Sequence, residues 1–166
     1  NFHGYEMFQR WPSVISGLKL QILKYPVLYN MRKADHLFSY GAKISKIIER
    51  KVSKNKLIEI PSGIDKKWIT SKIKPSSQQL NFVFVGRAER RKGIIEINKT
   101  IKSIDNNFNA NFHFIGPIEP NLKIFDSRVK YHGTIYDSED LKFILDQMDI
   151  LLCPSYSEGM PNVIME

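Results

Sequence analysis

At 166 residues, 42% hydrophobic and 25% charged, the chain has the size and make-up of one ordinary globular domain or two small pieces. No apolar run approaches the roughly 18 residues of a membrane span. Cys153 is the only cysteine, which excludes an internal disulfide and a cysteine metal cluster and fits a reducing, cytosolic setting. The net charge of +8 is uneven: residues 1–60 carry 11 Lys/Arg against 4 Asp/Glu, residues 61–166 carry 14 against 13. An anionic partner for the first part is therefore expected, whether nucleic acid, anionic lipid or phosphorylated substrate, beside the plain reading of a solvated basic surface.

In chain order, residues 13–33 read as a helix, with Val14, Ile15, Leu18 and Ile22 at helical spacing and Pro26 expected to kink or break it. Residues 34–41 form a short strand or buried run, and 42–52 an amphipathic helix with Ile44, Ile47 and Ile48 on one face. Residues 56–65 are a strand ending in a turn at Pro61. The polar stretch 66–79, with its Pro-Ser-Ser, reads as a connector. A regular alternation follows: strands at 80–86, 111–116, 128–133 and 149–155, and helices at 92–104 and 138–148. Ser138 is the expected N-cap of the second helix, and Pro161 is expected at the first position of a last one. Apolar strands alternating with helices predict an α/β fold, a parallel sheet covered on both faces. Ligands then belong at the carboxyl ends of the strands.

Three strand ends carry residues fit for that. In "VGRAERRKG" (85–93) a strand ends at Gly86, and Arg87 and Lys92 bracket a loop before a helix. A forked guanidinium, an ammonium and helix N-terminal amides make a diphosphate cradle, though neither a Walker loop nor a G-x-G-x-x-G is present. "HFIGPIEP" (113–120) offers only a glycine after a strand, and an ordinary turn accounts for it. In "SEGMPNVIME" (157–166), Glu158 lies in a loop, Gly159 turns it, and Glu166 stands eight residues on. Such carboxylates hold vicinal diols by accepting two hydrogen bonds. The histidines His36, His113 and His132 read as packed residues with local partners.

Taken together, "FVFVGRAERRKG" and "VKYHGTIYDSEDLKFILDQMDILLCPSYSEGMPNVIME" resemble the donor-binding domain of glycosyltransferase family 4, retaining enzymes of GT-B architecture with two Rossmann-like domains. The resemblance implies 1–65 as the end of an amino-terminal acceptor-side domain, 66–79 as connector and 80–166 as a partial donor domain, an excised core expected to lack both ends of the parent enzyme and to be inactive alone. By position it gives Gly86, Arg87 and Lys92 to the donor diphosphate. Glu158 goes to the donor sugar, with Gly159, Met160, Pro161 and Asn162 beside it, and Glu166 to the ribose. Gly133 and Thr134 fall near the base, and "NFHGYE" makes His3 the candidate catalytic histidine alongside Glu158.

What the resemblance implies is retaining transfer from a nucleotide-diphosphate sugar to a hydroxyl acceptor, with cations in place of a metal, so no cofactor and no metal dependence are expected. A lipid-linked acceptor and a peripheral contact with an anionic membrane through Trp11, Lys19, Lys24, Tyr25, Tyr29, Arg32 and Lys33 are the expected use of the basic first part, at the inner face of the membrane. Rival readings are an epimerase or phosphorylase of the same fold and a non-catalytic sugar-nucleotide sensor. A nucleic-acid module suits the pI near 9.5 but lacks stacked RNA-binding aromatics, so no nucleic-acid partner is expected.

Overall fold

The structure, a computed structural model, describes residues 5–69 and 78–166. The chain divides into two compact units, one of Asn1–Asp65 with Tyr156–Glu166 and one of Lys66–Ser155.

The first unit is led by α1 (Val14–Lys33), whose N-cap Ser13 accepts from the Ser16 amide at 3.2 Å. The helix runs through Pro26 without a break, so of the two outcomes expected there the break does not occur. The hydrogen bond that proline forfeits is the one to the carbonyl of Ile22, a residue 73% exposed. The expected apolar face is also turned the other way. Val14, Ile15, Leu18 and Ile22 point outward, and the buried positions are Gly17, Val27 and Met31. Two apolar faces exist on this helix, and the one carrying Val27 and Met31 packs against Ile44, Ile47 and Ile48 of α2 (Ala42–Glu49). α2 joins β1 (Leu37–Ser39) to β2 (Leu57–Glu59), which pair in parallel with Leu37 opposite Leu57. The buried hydroxyls of Ser39 and Ser45 satisfy each other at 2.9 Å. His36 is exposed rather than packed.

The second unit is a four-stranded parallel sheet in the order β5-β4-β3-β6. Its strands are β3 (Leu80–Val85), β4 (Ala110–Ile115), β5 (Val129–Gly133) and β6 (Ile150–Leu151). Strand alternation sends Phe84, Phe112 and Phe114 to one side, where they close on Ile94, Ile97 and Ile101 of α3 (Ile94–Ser103). Ring stacking at 5.2 Å (Phe82–Phe112) and 5.0 Å (Phe114–Tyr131) knits that face. The opposite face is mixed: Val83 and Ile115 are buried there, beside polar pairs between strands. Asn111 donates to Asn81 at 3.1 Å, and His113 Nδ1 meets His132 Nε2 at 2.9 Å, each histidine being the other's partner. Arg128 ties the end of α3 to β5, donating to the Ile101 carbonyl at 3.1 Å and to Asp126 at 2.9 Å.

Among the boundaries that differ from those expected, three have a local cause. α3 starts at Ile94 because Arg90–Lys92 winds a 3₁₀ turn and Gly93, at φ 78°, resets the chain. α4 (Ser138–Leu145) is capped by Asp137, not Ser138, since the carboxylate reaches two amides, of Glu139 and Asp140, at 2.8 and 3.1 Å. The strand expected over 149–155 shortens to two residues, Ile150 opposite Phe82 and Leu151 opposite Val83, before Pro154 withholds its amide. Within the connector, Lys66–Trp68 forms a single 3₁₀ turn, and 70–77 lie outside the described residues. Among the described residues, no helix is long and apolar enough to cross a membrane.

Candidate functional site

In chain order the strands of the second unit run third, second, first, fourth across the sheet, so the direction of winding reverses between β3 and β6. Crevices at such a reversal, outside the carboxyl ends of the strands, are where open α/β sheets take ligands. At two glycines there the backbone is packed too closely for a side chain. Gly116, at φ 128°, follows β4, and a Cβ on it would run into the carbonyl of Gly86 at the end of β3. The Gly86 amide donates to Ile115 at 2.9 Å and the Gly116 amide to Gly133 at 2.8 Å, which sets Gly86, Gly116 and Gly133 side by side across three strand ends. On the other flank a Cβ on Gly93 would sit 2.5 Å from the Pro154 carbonyl, so the start of α3 abuts the segment after β6. Gly93 has no side chain to cap α3, and the start of that helix carries its positive dipole end toward this edge.

The loop between Gly86 and Gly93 holds the cations. Arg90 is committed to structure: its guanidinium forks onto Glu96 with two contacts of 2.7 Å. Arg91 Nε is held by Glu89 Oε2 at 2.7 Å. Arg87 is looser, with Nε 3.3 Å from Glu89 Oε1 and a side chain 75% exposed, so exchanging that carboxylate for an incoming anion costs little. Lys92 ends the 3₁₀ turn, half-buried. A cleft of about 460 Å³ opens beside Arg87, lined by Ala88 and Glu89 from one loop and Pro117, Ile118 and Glu119 from the next. Thr134 is exposed just past Gly133. The glycine read from sequence as an ordinary turn, Gly116, thus belongs to this edge; the signal that it does was its place after a strand of the same length as β3.

The remaining candidates lie in the first unit, where they are described separately. Ser157 is buried, and Glu158 is half-buried with Oε1 inside. The Glu158 carbonyl accepts from Gln9 Nε2 at 2.8 Å, and Gln9 Oε1 accepts from Lys43 Nζ at 2.7 Å. Gln9 has no motif that announces it, because its partner stands 149 residues away in the chain. Gly159 and Met160 are half-buried, and Pro161 stands one residue before α5 (Asn162–Met165) rather than at its first position. Asn162 Oδ1 accepts a long 3.5 Å bond from Ser62, and Glu166 is exposed at the end of that single turn. His3 lies outside the described residues. No group of three His, Cys, Asp or Glu side chains suited to a metal forms among the described residues.

The His113–His132 pair lies between β4 and β5 on the mixed face of the sheet, with His132 directly before Gly133. Burial, then the charge of His132 and that of Lys130, holds His113 below the ordinary imidazole range. Burial and Lys130 do the same to His132.

Residues 79–166 match the family model described as glycosyl transferases group 1. A protein of Bacillus subtilis (strain 168), described as a candidate teichuronic acid biosynthesis glycosyltransferase, TuaC, is 36% identical over 92 residues, which are 55% of this chain and 23% of that protein. Among solved structures, the apo form of the lipopolysaccharide outer core galactosyltransferase WaaB is similar with TM-score 0.60 at 18% identity, over 80% of this chain and 40% of that one. Anabaena Alr3699/HepE in complex with UDP and glucose gives TM-score 0.64 at 15% identity, over 87% and 44%. TarM gives 0.58 at 16%, over 86% and 29%. These likenesses match the α/β, parallel-sheet architecture of GT-B glycosyltransferases, and the chain spans less than half the length of each of these proteins.

Proposed function

The chain belongs to the group 1 glycosyl transferases, and on that premise we propose that it is the core of a retaining enzyme moving a sugar from a nucleotide diphosphate to a hydroxyl, in assembly of a cell-surface polysaccharide or glycolipid. The observation that carries this reading is the edge of β3. A backbone-only strand end, the loosely held guanidinium of Arg87 and the uncapped start of α3 meet at the reversal of the sheet, a setting suited to a diphosphate. In the reaction the bond from C1 of the sugar to the phosphate oxygen breaks, its electron pair leaving on the diphosphate, and the acceptor hydroxyl oxygen bonds to C1 as its proton passes to the leaving diphosphate. Arg87 and Lys92 stabilise the charge on the leaving group, with no metal required. Glu158 contacts the donor sugar with the backbone of Gly159, Met160, Pro161 and Asn162. Glu166 holds the ribose, Gly133 and Thr134 lie by the base, and His3 serves on the acceptor side. The setting is cytoplasmic, which the lone exposed thiol of Cys153 supports.

Uridine is the first base to test, since a relative of the same fold was solved with UDP and glucose. The whole protein is screened by thermal shift against uridine, guanosine and adenosine diphosphate sugars. One series should raise the melting temperature, by the equivalent of about 2.7 kcal/mol at a hundredfold excess over Kd. Arg87→Ala should abolish that shift and slow turnover by the equivalent of about 3 kcal/mol. No shift with any donor, or the same shift in Arg87→Ala, refutes the reading. Transfer that a chelator abolishes and manganese restores refutes metal independence, and a product of inverted anomeric configuration by NMR refutes retention.

A further inference from the structure

We propose that Glu89 is a positioning residue of the donor site. Its carboxylate competes with the diphosphate for the guanidinium of Arg87, and Arg91 is the anchor that keeps it when Arg87 changes partner. Glu89 thereby sets how tightly the nucleotide is held and how soon it leaves. The inference rests on the transferase reading and deepens it.

Between Gly86 and Gly93 the loop carries Arg87, Arg90, Arg91 and Lys92 and a single carboxylate, that of Glu89. Arg90 is taken by Glu96. The two oxygens of Glu89 go to two other guanidiniums: Oε1 stands 3.3 Å from Arg87 Nε and Oε2 2.7 Å from Arg91 Nε. The bridge is lopsided. Its Arg91 arm has the length of a charge-assisted hydrogen bond, and its Arg87 arm is longer than one. Backbone bonds on both sides hold the residue in place. Its amide donates to the Arg87 carbonyl at 2.8 Å, and its carbonyl accepts from the Lys92 amide at 2.9 Å. Arg87 is therefore the arm that opens, and Arg91 the one that stays closed.

Charge gives the bridge its use. A loop with these cations and no anion would grip a diphosphate strongly, both as donor and as product. Product release limits turnover in many enzymes, and binding that is equal before and after the chemical step does not speed that step. A carboxylate that can return to Arg87 shortens the stay of the diphosphate. Arg91 meanwhile neutralises that carboxylate, so the ligand meets a competitor for one side chain and not a bare negative charge. Were Glu89 a staple of the loop and nothing more, its removal would loosen Arg87 and weaken binding. The two roles give opposite signs.

The whole protein is titrated calorimetrically with uridine, guanosine and adenosine diphosphates, as the parent, Glu89→Gln, Arg87→Ala and the double variant. For the diphosphate that binds, Glu89→Gln should tighten Kd by about fivefold, the worth of one unit charge a few ångströms away in a watery setting. Inhibition of turnover by that product should deepen by the same factor. In the Arg87→Ala background the gain should shrink below about twofold, because the carboxylate acts through Arg87. The melting temperature of Glu89→Gln should stay within about 3 °C of the parent's, as for a surface substitution. A Kd that is unchanged or weaker, the same gain with and without Arg87, or a larger fall in melting temperature overturns the proposal and leaves the transferase reading standing. A parent that binds none of the three diphosphates overturns that reading and this one with it.

Discussion

At Gly116 the main chain of one strand end rests on the carbonyl of its neighbour, and the residue sits at φ 128°, where side chains are disfavoured. Gly116→Ala should therefore lower unfolding stability by about 2–4 kcal/mol, the range of a backbone clash combined with positive-φ strain. A urea melt that keeps its midpoint would show that the strand ends separate freely. The His113–His132 pair gives a second expectation. Both imidazoles are held below their usual range by burial, helped by Lys130, so the folded protein binds fewer protons than the unfolded chain. Their contribution is intact above the unfolded value of about 6.5 and is lost as pH falls through and below it. The melting temperature should drop on acidification through that window, with a shallower drop in His113→Gln with His132→Gln. Equal slopes in parent and variant would remove the pair from the account.

Among the elements, α1 is the one whose existence was plain from sequence and whose orientation was not. Its apolar periodicity is genuine, yet Val14, Ile15, Leu18 and Ile22 face outward while Val27 and Met31 make the core. Two apolar faces give a reader of one helix no means of choosing between them; the choice is made by Ile44, Ile47 and Ile48, which lie elsewhere in the chain. Pro26 likewise reads as a kink or break because proline propensity is local, whereas packing at Val27 and Met31 on the same helix keeps the segment helical. Pro26→Ala should raise stability by roughly 2–3 kcal/mol, the helix-interior penalty of proline, read as a higher melting temperature. A fall would mean that the ring makes contacts worth more than that penalty. The alternation from β3 to β6 was legible because its strands read as largely apolar runs between helical segments. The polar side of the sheet was not, since Asn81, Asn111, His113 and His132 alternate with aromatics and find their partners only across strands.

For the molecule as a whole, charge and architecture tell different stories about its two ends. The excess of cations over residues 1–60 was evident from composition, but composition assigns them to no surface. Only the helix geometry separates Arg32 and Lys33, beside an apolar arc, from Lys24, turned inward to Phe8. The cation loop at 87–92 was likewise visible as a sequence, while the division of labour within it required Glu89 and Glu96 to be seen in place. The pairing of Gln9 with the Glu158 carbonyl, across nearly the full chain, left no trace in either segment. Gly86, Gly116 and Gly133 line up across three strand ends as a floor of bare backbone. It is made of amides and carbonyls alone, and these are the same atoms in every protein. Discrimination between one guest and another must then be written into the walls, at positions such as Ala88 and Ile118, and redesign of selectivity should begin there and leave the floor untouched.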